Sequence, residues 1–240
     1  MTAALPDNFL RFWGVRGSYP APFGTHLRTG GNTSCVEIRA DGHLLICDAG
    51  TGIIPLGNAL MSDPSVTDLD IILTHYHWDH ISGLPFFVPA FAPGRNIRFF
   101  GPGNDANDIR KSISEQMKAP FFPVETETWL AGIDYISPTS NRLEFGPISV
   151  ETFNMHHPGS TYGYRIEVNG KSVVYASDNE LSFIDQSIDQ RKDEFDEDER
   201  TLLEAMKVEE KGRALEFMQD VDVLIHDAQY TPSDYAAKRG

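Results

Sequence analysis

Three histidines and one aspartate fall within six residues of this chain, as His75-x-His77-x-Asp79-His80 in the stretch "THYHWDHISG" (74–83). Crowded imidazoles repel one another when protonated and compete for hydrogen-bond partners when buried, so the cluster calls for a cation to hold. On extended backbone, side chains two apart project to the same side, and His75 and His77 can converge on one ion. Asp79 and His80 sit where the chain turns towards a helix and can address a second ion nearby. A set of imidazole and carboxylate donors suits zinc, iron or manganese better than calcium or magnesium.

The elements that must position these residues are short. "NFLRFWGV" (8–15), "TSCVEIRA" (33–40) and "HLLICDAG" (43–50) have strand character, and the Asp-Gly of "ADGH" predicts a tight primed turn between the last two. "GTGIIPLGNALM" (50–61) predicts a helix behind a glycine turn, and "LDIILT" (69–74) a buried strand that stops at the histidines. Pro85 and Pro89 limit "PFFVPAF" to short helical pieces. Ile109, Ile113 and Met117, four apart behind early acids, predict an amphipathic helix over 104–118. "ISVETFNM" (148–155), "TYGYRIEV" (161–168) and "KSVVYASD" (171–178) predict three strands, the last two joined by an Asn-Gly hairpin turn. Residues 197–219 have helical composition, with Leu202, Leu203, Met206, Leu215 and Met218 as apolar positions, and "VDVLIHDAQ" (221–229) predicts a buried strand. With no repeat or linker, the pattern is that of one α/β domain.

Composition narrows the setting. The 240 residues carry a formal net charge of −15, which repels a phosphate backbone and argues against a grip on long nucleic acid. A small anionic substrate fits better, because bound cations would dominate the local field. No run of roughly 18 apolar residues offers a membrane span, and "MTAALPDNFLRFWG" lacks the form of a secretory signal. Cys35 and Cys47, both in apolar runs, are expected as free core thiols in a reducing, cytoplasmic setting. The glycine-rich "RTGGNTS" (28–34) lacks the spacing of a phosphate loop and is expected as a turn, with Asn32 placed to support loops near the histidines.

"THYHWDH" matches the HxHxDH signature of the metallo-β-lactamase superfamily, and the resemblance continues through "FWGVRGSYPAP", "TGGNTSCVEI", "LLICDAGTGI", "HHPGSTYGYRIE", "VVYASDNE" and "LIHDAQYT". These blocks resemble the branch of ribonuclease Z-type and cyclic-phosphodiester hydrolases. The resemblance implies an αββα sandwich, with two mixed sheets face to face, helices outside and two divalent metal ions at one sheet edge, zinc first, with manganese or iron as alternatives. It implies that His75, His77 and a third histidine hold one ion, and that Asp79 and His80 hold the other. The third histidine is His156 or His157, and the Pro-Gly that follows in "HPGST" favours His157. The bridging aspartate falls on Asp178. Asp79 is implied as both ligand and orienter of the attacking water, and Asp227 as an acid assisting a catalytic histidine.

In that branch a Gly-His-Ser segment downstream of "HDAQYT" supplies the catalytic histidine, and a further metal histidine follows it. The residues up to Gly240 contain neither, so the expectation is a single domain over 1–240 without the usual C-terminal segment. His226 is the one histidine after Asp178, and its strand context predicts a buried polar residue rather than a ligand. The function implied is a dinuclear hydrolase of a small, cyclic or linear, nucleotide phosphodiester. A thioester or lactone hydrolase on the same fold, and a non-catalytic metal- or ligand-binding module, are the rivals. Oligomeric state, including a homo-oligomer, is left open.

Overall fold

Two left-handed dipeptides set the register of much of the molecule. In the computed structural model, which describes residues 7–26, 28–137, 140–181, 194–231 and 233–235, Asp41 and Gly42 have φ of 48° and 82°, and Asn169 and Gly170 have 50° and 70°. Consecutive positive φ values make the primed turn that matches strand twist. They close β2 (Cys35–Ala40) onto β3 (His43–Cys47) and β9 (Tyr162–Val168) onto β10 (Lys171–Ala176).

The strands form two sheets. The first runs β1 (Phe9–Gly14), β2, β3, β4 (Asp68–Ile72), β5 (Asn96–Phe100) and β6 (Gly132–Ile136), antiparallel up to β3 and parallel from β3 to β6. The second runs β11 (Val223–His226), β10, β9, β8 (Ile148–Asn154) and β7 (Arg142–Phe145). It is antiparallel except for the parallel β10–β11 pair.

Alternation along the strands builds three apolar layers. Leu44 and Ile46 of β3, with Leu69 and Ile71 of β4, face α1 (Ile53–Met61) and α3 (Ala106–Glu115). Leu45, Cys47 and Ile72 face the other way and meet Phe145, Val150, Tyr164 and Ile166 of the second sheet. Outside that sheet, Met155, Val174 and Ala176 pack on Ala214, Phe217 and Met218 of α4 (Glu197–Met218). The order is helix, sheet, sheet, helix, as the resemblance implies. Each large side chain buried here contributes about 1.5–3 kcal/mol relative to exposure.

The helices begin where the side chains can cap them. Asp105 accepts the backbone N–H groups of Asn107 and Asp108 at the start of α3, whose Ile109 and Ile113, with Met117 beyond, are buried. Asp196 and Glu199 form a capping box on α4. The proline-broken stretch makes two short 3-10 turns, Leu84–Phe86 and Val88–Phe91, that pack beneath α1. One short α-helical turn, α2 (Trp78–Ile81), carries the histidine cluster. Both cysteines are free and buried, as expected.

Two expectations fail. β11 is an edge strand rather than a buried one, with Val223 41% and Leu224 49% exposed, because among the described residues it pairs with β10 alone. On α4, Leu202, Met206 and Leu215 face solvent. The half-buried and buried residues are Leu203, Lys207, Glu210, Lys211, Ala214, Phe217 and Met218. Three charged residues sit among them beside Leu203 and Met218, so apolar residue type alone does not mark the packed side.

Candidate metal centre

The parallel strands of the first sheet end at a crevice, where the chain turns and backbone groups become free to bind. Beyond β4 the segment Thr74–His77 leads into α2, with His77 in extended conformation at its N-terminus (φ −65°, ψ 152°). Tyr164 of the opposing sheet donates its hydroxyl to the Leu73 carbonyl at 2.6 Å, and the Tyr162 N–H bonds the Thr74 carbonyl at 2.9 Å. These bonds fix the histidine segment against the ends of β8 and β9. From that side the β8–β9 loop presents His157, and the end of β10 presents Asp178.

Two donor sets result. Ligand atoms of His75, His77, His157 and Asp178 all lie within 4.8 Å of one another, and so do those of Asp79, His80 and Asp178. Asp178 belongs to both. Its Oδ2 stands 3.8 Å from His75 Nε2 and 3.6 Å from His157 Nε2, while its Oδ1 stands 3.2 Å from His80 Nε2. His80 Nε2 is 3.5 Å from Asp79 Oδ2, and His157 Nε2 is 3.1 Å from His77 Nδ1. One carboxylate therefore turns one oxygen to each set, the arrangement of a bridging ligand.

Buried nitrogen atoms test whether a metal fits. His75 is 3% and His80 0% exposed, and the Nε2 atoms of both are buried without a hydrogen-bond partner. A buried polar atom left unpaired costs about 1–3 kcal/mol. Two such atoms aimed into one cluster of imidazoles and carboxylates are what a cation would satisfy. Histidine with carboxylate and no thiolate matches zinc, manganese or iron.

Behind the donors lies a residue that the sequence motifs do not mark. Asp48, fully buried just past β3, accepts His80 Nδ1–H at 2.7 Å and the Tyr175 hydroxyl at 2.7 Å on Oδ2. Its Oδ1 accepts the Thr74 N–H at 2.8 Å. Taking the Nδ1 proton of His80 leaves its Nε2 lone pair facing the cluster, the usual task of a carboxylate behind a metal-binding histidine. The one sequence signal was an aspartate at a strand end in "LLICDAG", a placement more often used for turns.

Electrostatics follow from this packing. Burial, together with the neighbouring charge of His80, lowers the His75 pKa to about 4, so it is a neutral donor at ordinary pH. Burial also lowers His157. At His80 burial opposes the charged form, but the Asp48 charge and the proximity of the Asp178 and Asp79 carboxylates raise the pKa well above the ordinary range. Burial likewise opposes the charged forms of Asp79 and Asp178. Contacts with His80, and for Asp79 the backbone N–H of Ser18 at 2.6 Å, keep both carboxyls below the usual range.

The other expected residues fall as follows. His156 points towards α4, with Nε2 3.7 Å from Glu210 Oε1, and belongs to neither donor set. His226 is exposed, because β11 is an edge; its Nε2 lies 3.3 Å from Asn179 Nδ2, and it also joins neither set. The expectation of a buried residue there is wrong. Asp227 is solvent-exposed as a residue, yet protein packed around its carboxyl and the Asp178 charge raise its pKa. Asn32 takes the Thr51 hydroxyl on its side chain, and its carbonyl takes the N–H groups of Val15 and Arg16, so it does support a loop beside the donors. Gly50 approaches so closely that an added Cβ would meet the Asp79 carbonyl at 2.2 Å.

Cavities open on both sides of the donors. One of about 580 Å³ is bordered by Asp79, Asp178, Asp227 and the loop Gly14–Tyr19. Another of about 400 Å³ is bordered by His75, His77 and the Pro158–Ser160 turn.

Comparison with known proteins accords with this geometry. The family model of the beta-lactamase superfamily domain matches residues 43–198. A ribonuclease Z from Nostoc sp. is 27% identical over 231 residues, covering 85% of this chain and 68% of that protein. A ribonuclease Z from Pyrococcus abyssi is 26% identical over 137 residues, 55% of this chain, and the chain spans 41% of that relative's length. Among solved structures, a diphosphatase aligns with a TM-score of 0.50 at 17% identity, over 74% of this chain and 69% of that one, a likeness of fold. With well over half of its length matched by the family model, this chain belongs to the beta-lactamase superfamily, in its metallo-β-lactamase-fold, ribonuclease Z-like branch.

Proposed function

We propose that the protein is a metal-dependent hydrolase of phosphodiesters, acting on a small cyclic or linear nucleotide. The observation that carries this reading is the pair of donor sets sharing Asp178, with the buried Nε2 atoms of His75 and His80 left for cations. His75, His77, His157 and Asp178 would hold one divalent ion, and Asp79, His80 and Asp178 the other, zinc being the first choice. Such a pair supplies Lewis acidity to the phosphoryl oxygens and lowers the pKa of water towards neutrality.

The chain's own groups do the rest. Asp48 holds the His80 ring in one tautomer and orientation. The Ser18 N–H fixes one oxygen of Asp79 and leaves the other to accept a hydrogen bond from an attacking water. Asp227 borders the same cavity, where its carboxylate would orient a proton donor for the departing oxygen. The acidic chain and a cavity of nucleotide size favour a small substrate. The ribonuclease Z relatives make the end of an RNA chain the alternative phosphodiester.

The test is turnover by the zinc-loaded protein of a bis-aryl phosphodiester, a cyclic nucleotide and an aryl thioester. Hydrolysis of the first two, abolished by His75→Ala with His77→Ala, is expected. Turnover of the thioester with both phosphodiesters intact would overturn the proposal.

A further inference from the structure

The loop Gly14–Tyr19 does more than border the donors. Ser18 adopts a left-handed conformation (φ 67°), uncommon for a residue that is not glycine. Its N–H is committed to Asp79 Oδ2, and its hydroxyl accepts Gln229 Nε2 at 3.3 Å. The Tyr19 N–H turns back to the Gly17 carbonyl at 2.8 Å. A loop tied on one side to a donor and on the other to the segment after β11 holds a fixed shape, and the residues it presents are fixed with it.

Those residues have a definite chemistry. Arg16 lines the 580 Å³ cavity, is half-buried, and among the described residues has no ion-pair partner. Tyr19 and Phe12 line the same cavity, 64% and 50% exposed, and no ring of the described residues stacks on either. Of the aspartates bordering the cavity, Asp79 and Asp178 face the metal donors and Asp227 stands apart from both sets, and Arg16 is the one arginine or lysine among the lining residues, the group left for an anionic ligand. A guanidinium suited to phosphate oxygens, beside two unpaired aromatic faces, matches a phosphate joined to a flat ring. The volume lies within the range of small-ligand sites.

We infer that this cavity is a nucleotide subsite in which Arg16 binds a phosphate oxygen and Tyr19, with Phe12, stacks on the base. The inference rests on the phosphodiesterase reading and assigns the part of the substrate that determines specificity. A free nucleotide and the terminal nucleotide of an RNA chain present the same chemistry.

Calorimetry on the zinc-loaded protein tests it with AMP, adenosine, ribose 5-phosphate and a short single-stranded RNA. AMP should bind about ten-fold or more tighter than ribose 5-phosphate, because base stacking is lost from the latter. Tyr19→Ala should erase that preference and Tyr19→Phe should keep it. Arg16→Ala should weaken AMP about ten-fold and leave adenosine within about two-fold, as the loss of a charge-assisted phosphate contact requires. Metal content, measured alongside, should not change in these variants. RNA binding tighter than AMP, with the same response to Tyr19→Ala, supports the subsite and assigns it to a chain end. Equal binding of AMP and ribose 5-phosphate, or wild-type AMP affinity in both alanine variants, overturns it. If that result comes with intact hydrolysis of the bis-aryl diester, the subsite alone is wrong and the hydrolase reading stands. A nucleotide preference without diester hydrolysis supports the subsite and removes the hydrolase reading.

Discussion

Replacing Asp48 with asparagine perturbs the donors without touching one. The substitution keeps volume and shape but removes a charge that is fully buried and accepts His80 Nδ1–H, the Tyr175 hydroxyl and the Thr74 N–H. An asparagine amide turned towards His80 donates to Nδ1 and drives the proton to Nε2, where it blocks the lone pair that faces Asp178 and Asp79. Turned the other way, its carbonyl serves Nδ1 and the Tyr175 hydroxyl, but its amide meets the Thr74 N–H, donor against donor. Loss of such a supporting carboxylate costs roughly 10- to 100-fold in metal affinity, or about 1.4–2.8 kcal/mol. Folding stability should fall by a further amount, about 1.5–3 kcal/mol for a hydrogen bond to a charged group, which leaves a domain of ordinary stability folded. Zinc affinity by chelator competition, with thermal unfolding of the metal-free protein, measures both. Tyr175→Phe is the control, since it removes a hydrogen bond from Asp48 and leaves the His80 contact. It should destabilise the fold and change zinc affinity far less. If Asp48→Asn destabilises the protein and binds zinc as wild type does, the orienting role is refuted.

His157→Ala should lower metal content while His156→Ala should not, because His156 faces Glu210 and stands outside both donor sets; metal analysis of the two variants that gave the reverse would shift the loop by one residue. Asn179 is 6% exposed and clips the loops of His157 and Asp178 together through the His156 N–H at 3.1 Å. Asn179→Ala should cost about 1–3 kcal/mol for the orphaned amide and weaken zinc binding, and a stability loss with unchanged zinc affinity would reduce Asn179 to a structural residue. In the metal-free protein, NMR titration should find His75 neutral down to about pH 4 and His80 charged well above the usual histidine midpoint. The His80 charge adds stability that is full below the unfolded pKa near 6.5 and is lost as pH rises through the raised folded value. Burial of neutral His75 acts oppositely, costing stability as pH falls below about 6.5.

What was legible in the sequence was local. Asp41-Gly42 and Asn169-Gly170 specify hairpins because their backbone preference needs no distant partner. Ile109, Ile113 and Met117 show their face at helical spacing. The HxHxDH run and the "HPGST" and "YASD" blocks supplied the six residues that the fold brings together. Long-range packing decided the rest. β5 and β6 extend the parallel sheet without a turn dipeptide or an alternation that stands out, while β7 closes the edge of the second through the two-residue Gly146-Pro147 turn, with Gly146 at φ 59°. β11 has the apolar content of a buried strand and lies at an edge. On α4, Lys207 and Glu210 occupy the packed stripe while Leu202 and Met206 face water, so composition and orientation disagree. Asp48 escaped because its partners come from two distant segments, Thr74 and His80 from one and Tyr175 from the other.

The central claim is that one carboxylate joins two cation sites, and a zinc titration of the metal-stripped protein against a competing chelator tests it most directly, on wild type and on Asp178→Ala verified as folded. Asp178 turns Oδ2 to His75 and His157 and Oδ1 to His80, and the two sets offer four and three donor residues among the described residues. The account predicts two zinc ions per wild-type chain, the second held more weakly, and loss of tight binding at both positions in Asp178→Ala. A wild-type chain that binds a single ion, or an Asp178→Ala variant that keeps one site at wild-type affinity, would contradict it.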